Sequence, residues 1–430
     1  MASIGDLAAP KQQALTFRII FASGIGNIVE WYNFLLYAYL AVVISQLFFP
    51  ELALKRALVL SFLLFAVGFL ARPIGAFGFG LLGDLWGRQK TLLASQALMT
   101  LASLGICFLP TYATAGIYAP ILLALLRLLQ GISVGGEHTT ALTYIAEMAP
   151  VKQRGLWVSV IPAATAFGIL LSSLTIYGGL MLFDSARLLA WGWRVCFCTG
   201  FLISLFGLWL RWRLPESRRF LELKQDAVKR QTGFKLLDRH YCKQIFWVMG
   251  LVVSQAFFYQ LFYIWNPSFF QIFLHLSMST ALLLNGGNML VFTLAIILGG
   301  ALSDHFRRRP VLTLMSSALL VAVLWFYSIW VHLAVLWLLL GLSIISIIFG
   351  IYLGAVSVVF AEVFPARIRV FLLSLVFNFP FAIVGGFTPA FLSLALDRVG
   401  MVGISLAGAL IAVLALVCSF GVDDLAGQKI

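Results

Sequence analysis

Charge is scarce in this chain. Asp, Glu, Lys and Arg make up 10% of its 430 residues, against roughly 25% in a soluble globular chain. With 62% hydrophobic residues and a mean hydropathy of +1.02, soluble classes are excluded. Cysteine is also sparse, at five residues. Cys107, Cys196, Cys198 and Cys418 fall in or near apolar stretches and Cys242 in a basic segment, so no disulfide framework is indicated. Cys196-x-Cys198 has no His or carboxylate at ligand spacing, and no metal site is expected. The chain contains no Walker sequence and no G-x-S-x-G. It is expected to be no enzyme and to need no cofactor beyond a coupling proton. A cleavable signal peptide is not expected, because the first sixteen residues are mixed and polar and the first apolar stretch is too long for an h-region.

What is present is a succession of apolar stretches, each long enough to span a bilayer at about 20 residues. Twelve are expected, at about 17–45, 57–82, 91–110, 115–146, 155–182, 189–210, 244–273, 279–302, 311–330, 333–361, 370–396 and 400–421. The expected class is an all-α membrane protein, with twelve transmembrane helices in two six-helix bundles. The bundles are 1–210 and 244–430. A basic cytoplasmic linker, 211–243, divides them, and LELKQDAVKR within it has the charge spacing of a surface helix. Placing the N-terminus inside puts 22 of the 29 Lys and Arg on the inner side. The positive-inside rule therefore predicts cytoplasmic N- and C-termini in a cell (inner) membrane. The same rule accounts for the net charge of +13 without nucleic acid as a partner.

Three spans hold ionisable residues: Glu30, Arg72, and Glu137 with His138. Such residues are costly in lipid and are normally kept facing an interior where they have a task. At 1.5 Å per residue, Glu30 and Arg72 lie about 18 Å and Glu137 about 15 Å from the inner edge, one layer near the midplane. The same arithmetic puts Arg127 about 30 Å away, at the outer edge, where an arginine can snorkel. The second half does not repeat these charges. Gln255, Tyr259, Tyr352 and Asn378 lie about 14–24 Å deep there, predicting a neutral hydrogen-bonding wall opposite a charged one. Tyr37, seven residues past Glu30, is a further candidate. Helix breaks are expected at WNP (265–267), NGGN (285–288) and NFP (378–380).

The halves also resemble each other. Gly80-LLGDLWGRQK returns as Gly300-ALSDHFRRRP, and Ala146-EMAPVKQRG returns as Ala361-EVFPARIRV. A parallel repeat of six spans points to two bundles rocking about a central site. Gly80, Leu82, Asp84, Gly87, Arg88 and Lys90 match the loop motif G-x-L-x-D-x-x-G-R-x-K, and here the chain resembles the major facilitator superfamily. EWYNF (30–34), ARP (71–73), RLLQGISVGGE (127–137), AEMAPVKQRG (146–155) and LPESRRF (214–220) are similar to its metabolite:proton symporters. That group carries citrate, 2-oxoglutarate, shikimate, proline and glycine betaine. Two departures stand out. Arg307 occupies the motif's glycine position in the second copy, which weakens the expectation of a second gate. Asn33 stands where the family pattern usually has Asp, which removes one candidate proton carrier. Osmosensing through a long C-terminal coiled coil, as in the osmosensing member, is not expected.

The resemblance implies inner-face gates. Asp84, Arg88, Glu147 and Arg154 would form the first, and Asp304, Arg308, Glu362 and Arg369 the second. The chemistry of the midplane layer suggests the rest. Arg72 cannot deprotonate and is the expected anchor for a substrate carboxylate. Glu30, Glu137 and His138 are the expected proton-coupling residues, because a substrate competing for Arg72 changes a neighbouring carboxyl's proton affinity. Substrate contacts are expected from Arg72, Glu30, Glu137, Tyr37, Gln255, Tyr259, Tyr352 and Asn378. The expected function is proton-coupled import of a small carboxylate or zwitterion by a monomer in the lipid bilayer. An exporter or uncoupled facilitator of the same fold, or proline/betaine-type osmolyte uptake, is the alternative.

Overall fold

Buried in hydrocarbon, a backbone must satisfy its own hydrogen bonds, and the helix is the local way to do so. The computed structural model describes residues 9–86, 88–212, 239–328, 335–364 and 369–427, and every element it contains is helical. In the first half the principal ones are α1 (Ala9–Tyr39), α2 (Ala41–Phe48), α3 (Leu54–Leu70), α4 (Arg72–Trp86), α5 (Arg88–Cys107), α6 (Tyr118–Val134), α7 (Glu137–Met148), α8 (Arg154–Leu182) and α9 (Trp193–Trp212). In the second they are α10 (Arg239–Tyr259), α11 (Asn266–Ile272), α12 (Met278–Phe306), α13 (Arg308–Ser328), α14 (Val335–Glu362), α15 (Arg369–Pro380) and α16 (Gly386–Gly421). Among the described residues, nine helical runs are long and apolar enough to cross a membrane, or ten if the pair bent by 58° at Leu40 is one span. Their outward faces are apolar, with Phe77, Leu202 and Leu410 exposed. Most of the linker expected at 211–243 lies outside the described residues.

Several runs are interrupted without ending. The first breaks at Leu40, and α3 passes into α4 at Ala71. The fourth pauses at Gly135-Gly136 between α6 and α7. π-helical turns at Gln260–Trp265 and Phe381–Gly385 separate α10 from α11 and α15 from α16. The interruptions expected at WNP and NFP are therefore present as π-turns. NGGN is different: 285–288 lies inside continuous α12. Its asparagines find partners there, Asn285 Nδ2 donating to the Tyr39 hydroxyl at 2.8 Å and Asn288 Nδ2 to the Leu284 carbonyl at 2.7 Å. Glycine's helix penalty of about 1 kcal/mol per residue is small beside that packing.

Glycines set how closely the first-half helices meet. A Cβ on Gly131 would run into the Gly68 carbonyl, and one on Gly135 into the Arg72 carbonyl. These contacts fix α6 against α3 and α4 and so fix the depth of Arg72. The second loop motif shows the opposite economy. Arg307, at the motif's glycine position, closes α12 with φ 70 and ψ 166. That region is nearly exclusive to glycine and costs an ordinary residue about 1–3 kcal/mol. Arg307→Gly should therefore stabilise the protein by about 1 kcal/mol after glycine's entropy cost. Thermal unfolding of purified protein checks this. The midpoint is expected to rise by ~1–2 °C, and a fall would contradict the strain.

Candidate functional site

Arg72 opens α4 at the Ala71 break and points into the interior, with 1% of its surface exposed. Its guanidinium carbon lies 5.3 Å from the Trp31 ring, 5.5 Å from Phe69 and 4.9 Å from Phe381. Nε, Nη1 and Nη2 have no hydrogen-bond partner among the described residues. Glu30, fully buried on α1, and His138 on α7 both interact with it electrostatically. Each ring face contributes about 0.5–2 kcal/mol. Removing a guanidinium from water costs several kcal/mol, and its remaining donors still need acceptors. The cage holds the cation in place, then, without saturating it.

Glu137 and His138 begin α7, just past the Gly135-Gly136 pause, and both are buried. His138 Nδ1 lies 3.1 Å from Asn27 Oδ1, and its ring stacks on Phe377 at 5.1 Å. Asn378 Nδ2 donates to the Gly135 carbonyl at 2.9 Å, tying α15 to the same pause. Tyr259 lies 6.2 Å from Trp31, ring to ring, and Phe349 links it to Tyr352. Gln255 is one turn earlier on α10. Gln255 Oε1, Asn378 Oδ1 and the hydroxyls of Tyr259 and Tyr352 are buried without partners among the described residues. The midplane layer therefore pairs charged first-half side chains with neutral, unsaturated second-half ones. Three members of it are absent from the sequence reading: Trp31, Phe69 and Phe381. The one sequence signal available for any of them is Trp31's place beside Glu30 in EWYNF, which the reading above did not use.

Two expected positions differ. Tyr37 is not at the Arg72 cage: its hydroxyl donates to the Ser61 carbonyl at 2.8 Å and its ring faces Arg127 at 4.6 Å. Arg127 is not a snorkelling side chain at the edge. It is fully buried, 4.1 Å from the Phe34 ring and 5.2 Å from Phe65. Depth along a helix carries no information about which face a residue takes, and the Gly135-Gly136 pause interrupts the regular rise on which that depth rested.

On one face of the protein, buried ion pairs join the halves. Glu362 accepts from Arg154 Nη1 at 3.0 Å, and from Arg308 Nη2 and Nε at 3.1 and 3.2 Å. Asp304 binds Arg308 Nη1 at 2.7 Å and accepts from the amides of Gly155 and Leu156 at 2.8 and 2.9 Å. It thereby caps α8 of the other half, where a helix N-terminus favours negative charge. Arg369 Nη1 meets Glu147 at 3.4 Å. The second-half set is thus assembled despite Arg307. The side chains of Asp84 and Arg88 lie outside those described. On the opposite face the Asn285–Tyr39 bond and a Lys55–Asp397 pair at 2.7 Å also join the halves. Both faces are therefore bridged between the halves, with the side chains around Arg72 buried between them.

Comparison with known proteins follows this geometry. Residues 19–240 match the family described as Sugar (and other) transporter. The proline/betaine transporter of Escherichia coli (strain K12) is 32% identical over 381 residues, covering 86% of this chain and 76% of that one. The citrate-proton symporter of Klebsiella pneumoniae is 32% identical, covering 87% and 84%. Among solved structures, the proton:xylose symporter XylE bound to 6-bromo-6-deoxy-D-glucose is 20% identical. It aligns with a TM-score of 0.81 over 97% of this chain and 98% of its own. The inward-open xylose transporter XylE from E. coli is 18% identical and aligns at 0.72, covering 93% and 95%.

Breaking the Glu362 cluster removes the buried carboxylate that Arg154 and Arg308 share and leaves Arg308 with Asp304, a loss of about 3–5 kcal/mol. Glu362→Gln should therefore open this face. In a Ser159→Cys background, labelling by a membrane-impermeant maleimide from that face is expected to rise severalfold. Unchanged labelling would show that the cluster does not hold the face shut.

Proposed function

The chain belongs to the Sugar (and other) transporter family of the major facilitator superfamily, with its metabolite:proton symporters, and is a multi-pass membrane transporter, not an enzyme; from that premise we propose that it imports a small carboxylate or zwitterion together with protons. The observation that carries this reading is Arg72, a buried, permanently charged guanidinium caged by aromatic rings and with no hydrogen-bond acceptor among the described residues. A carboxylate supplies the missing acceptors in bidentate geometry. The names of the proline/betaine and citrate-proton relatives agree with such a ligand. No cofactor is required, and a single chain suffices.

The twelve-span architecture is part of the proposal. The bent Leu40 pair counts as one span, the short apolar helix Leu93–Cys107 as another, and Gly400, at φ 63, divides the run Leu372–Gly421 into two. Six spans then fall on each side of the basic linker, in bundles 1–210 and 244–430. The excess of Lys and Arg supports a cytoplasmic position for both termini and for the Glu362 face.

Coupling follows from competition for one cation. Without substrate, Glu30 shares Arg72. An arriving carboxylate takes the guanidinium, and Glu30 becomes neutral by taking a proton. Glu137 and His138, on the segment latched to Asn378, carry the second titrating position and link it to the moving half. Gln255, Tyr259 and Tyr352 complete the substrate contacts from the opposite wall. The two sets Asp84, Arg88, Glu147, Arg154 and Asp304, Arg308, Glu362, Arg369 form the cytoplasmic gate.

Proteoliposomes test this. Glu30→Gln and Glu137→Gln should abolish uphill uptake driven by a proton gradient while retaining counterflow. Arg72→Gln should abolish both. Full proton-driven accumulation by both glutamate variants would overturn the coupling scheme, and pH-independent transport by the unmodified protein would favour a facilitator.

A further inference from the structure

Arg127 is the second fully buried arginine of the first half, and nothing above gives it a task. Its cage is built from Phe34, Tyr37 and Phe65. Nη1 donates to the Phe34 carbonyl at 3.2 Å and to Gln130 Oε1 at 2.8 Å, while Nε and Nη2 have no acceptor among the described residues. No described carboxylate forms an ion pair or hydrogen bond with it. The relay leading away from it is neutral throughout. Gln130 Nε2 donates to Ser103 Oγ at 3.2 Å, Ser103 Oγ to Asn33 Oδ1 at 2.9 Å, and Asn33 Nδ2 to Ser204 Oγ at 2.8 Å. Every donor between Arg127 and Asn33 points toward Asn33, the place where a carboxylate would neutralise the arginine, and an amide stands there instead.

The register relates this cation to Arg72. A Cβ on Gly68 would stand 3.2 Å from the Arg127 carbonyl oxygen, and one on Gly135 would meet the Arg72 carbonyl. Arg127 therefore lies about six residues from Arg72 along the parallel helices, or roughly 9 Å toward the face opposite the Glu362 cluster. One aromatic wall serves both. Phe69, which touches Arg72, packs on Phe34 and Phe65 at 4.9 Å each, and those two rings touch Arg127. Two saturable cations thus sit at the ends of an apolar strip.

We propose that Arg127 is a second carboxylate subsite, and that the preferred substrate is a small dicarboxylate held at one end by Arg72 and at the other by Arg127, its carbon chain lying on Phe34, Phe65 and Phe69. This rests on the reading of Arg72 as a carboxylate anchor and narrows it to dianions. A ligand carboxylate supplies what the neutral relay does not: acceptors for Nε and Nη2, and a counter-charge in a low-dielectric site.

Equilibrium binding of succinate and of butyrate, the same carbon count with one carboxylate fewer, to purified protein in nanodiscs tests the assignment. The unmodified protein is expected to bind succinate at least tenfold more tightly, because its second carboxylate supplies the acceptors that Arg127 Nε and Nη2 lack among the described residues. Arg127→Gln should lower that preference about tenfold. Asn33→Asp, which sets a carboxylate at the end of the relay, should lower it too, and carries the test if Arg127→Gln does not fold. No preference for succinate in the unmodified protein, or an undiminished one in the variants, overturns the subsite. Arg72→Gln separates the two readings, because it should abolish binding of both acids. If both acids still bind, it is the anchor at Arg72 that fails.

Discussion

A guanidinium cannot be discharged inside a protein, and this constraint organises the molecule. Lysine or histidine in an apolar interior can shed its proton, but arginine must be given partners. At Arg72 the structure provides three ring faces and one nearby carboxylate, with hydrogen-bonding capacity left over. The glycines that bring α6 against α3 and α4 bury it. The pause at Gly135-Gly136 brings Glu137 and His138 to the same layer. The aromatic contacts across to Tyr259 and Phe381 bind that layer to the second half, so whatever saturates Arg72 also bears on how the halves fit.

The ion-pair face uses the same chemistry for another end. Arg154, Arg308 and Glu362 are buried too, but each cation there has its carboxylate or carbonyl. A saturated cluster joins two surfaces and is costly to open. An unsaturated one has donors to spare for a ligand. If ligand binding offsets the cost of separating Glu362 from the arginines of both halves, the two clusters are coupled through rigid helices and not by direct contact.

Much of this was legible in the sequence because membrane helices convert position into depth. The long apolar runs follow from hydropathy, the expectation of a common layer for Glu30, Arg72 and Glu137 from a constant rise per residue, and Glu362 and Arg369 from the repeated motif. What escaped depended on azimuth and on local departures from regularity. Arg127 was placed at an edge because its depth was known and its facing was not. NGGN read as a break because glycine is a poor helix former in isolation, whereas in α12 the asparagines are hydrogen-bonded. Trp31, Phe69 and Phe381 looked like ordinary apolar residues until three helices were brought together around one cation. Arg307 read as a loss from a glycine motif, yet the backbone keeps the glycine-like turn and the gate residues on either side of it still meet.

The central claim is that Glu30 and the substrate carboxylate share Arg72. Proton uptake on binding measures this most directly. In weakly buffered nanodiscs, saturating a monocarboxylate such as butyrate should draw protons from solution, as the carboxylate displaced from the arginine becomes neutral. The uptake should vanish in Glu30→Gln while butyrate still binds. Binding with no proton uptake, or uptake of equal size in Glu30→Gln, would contradict the account.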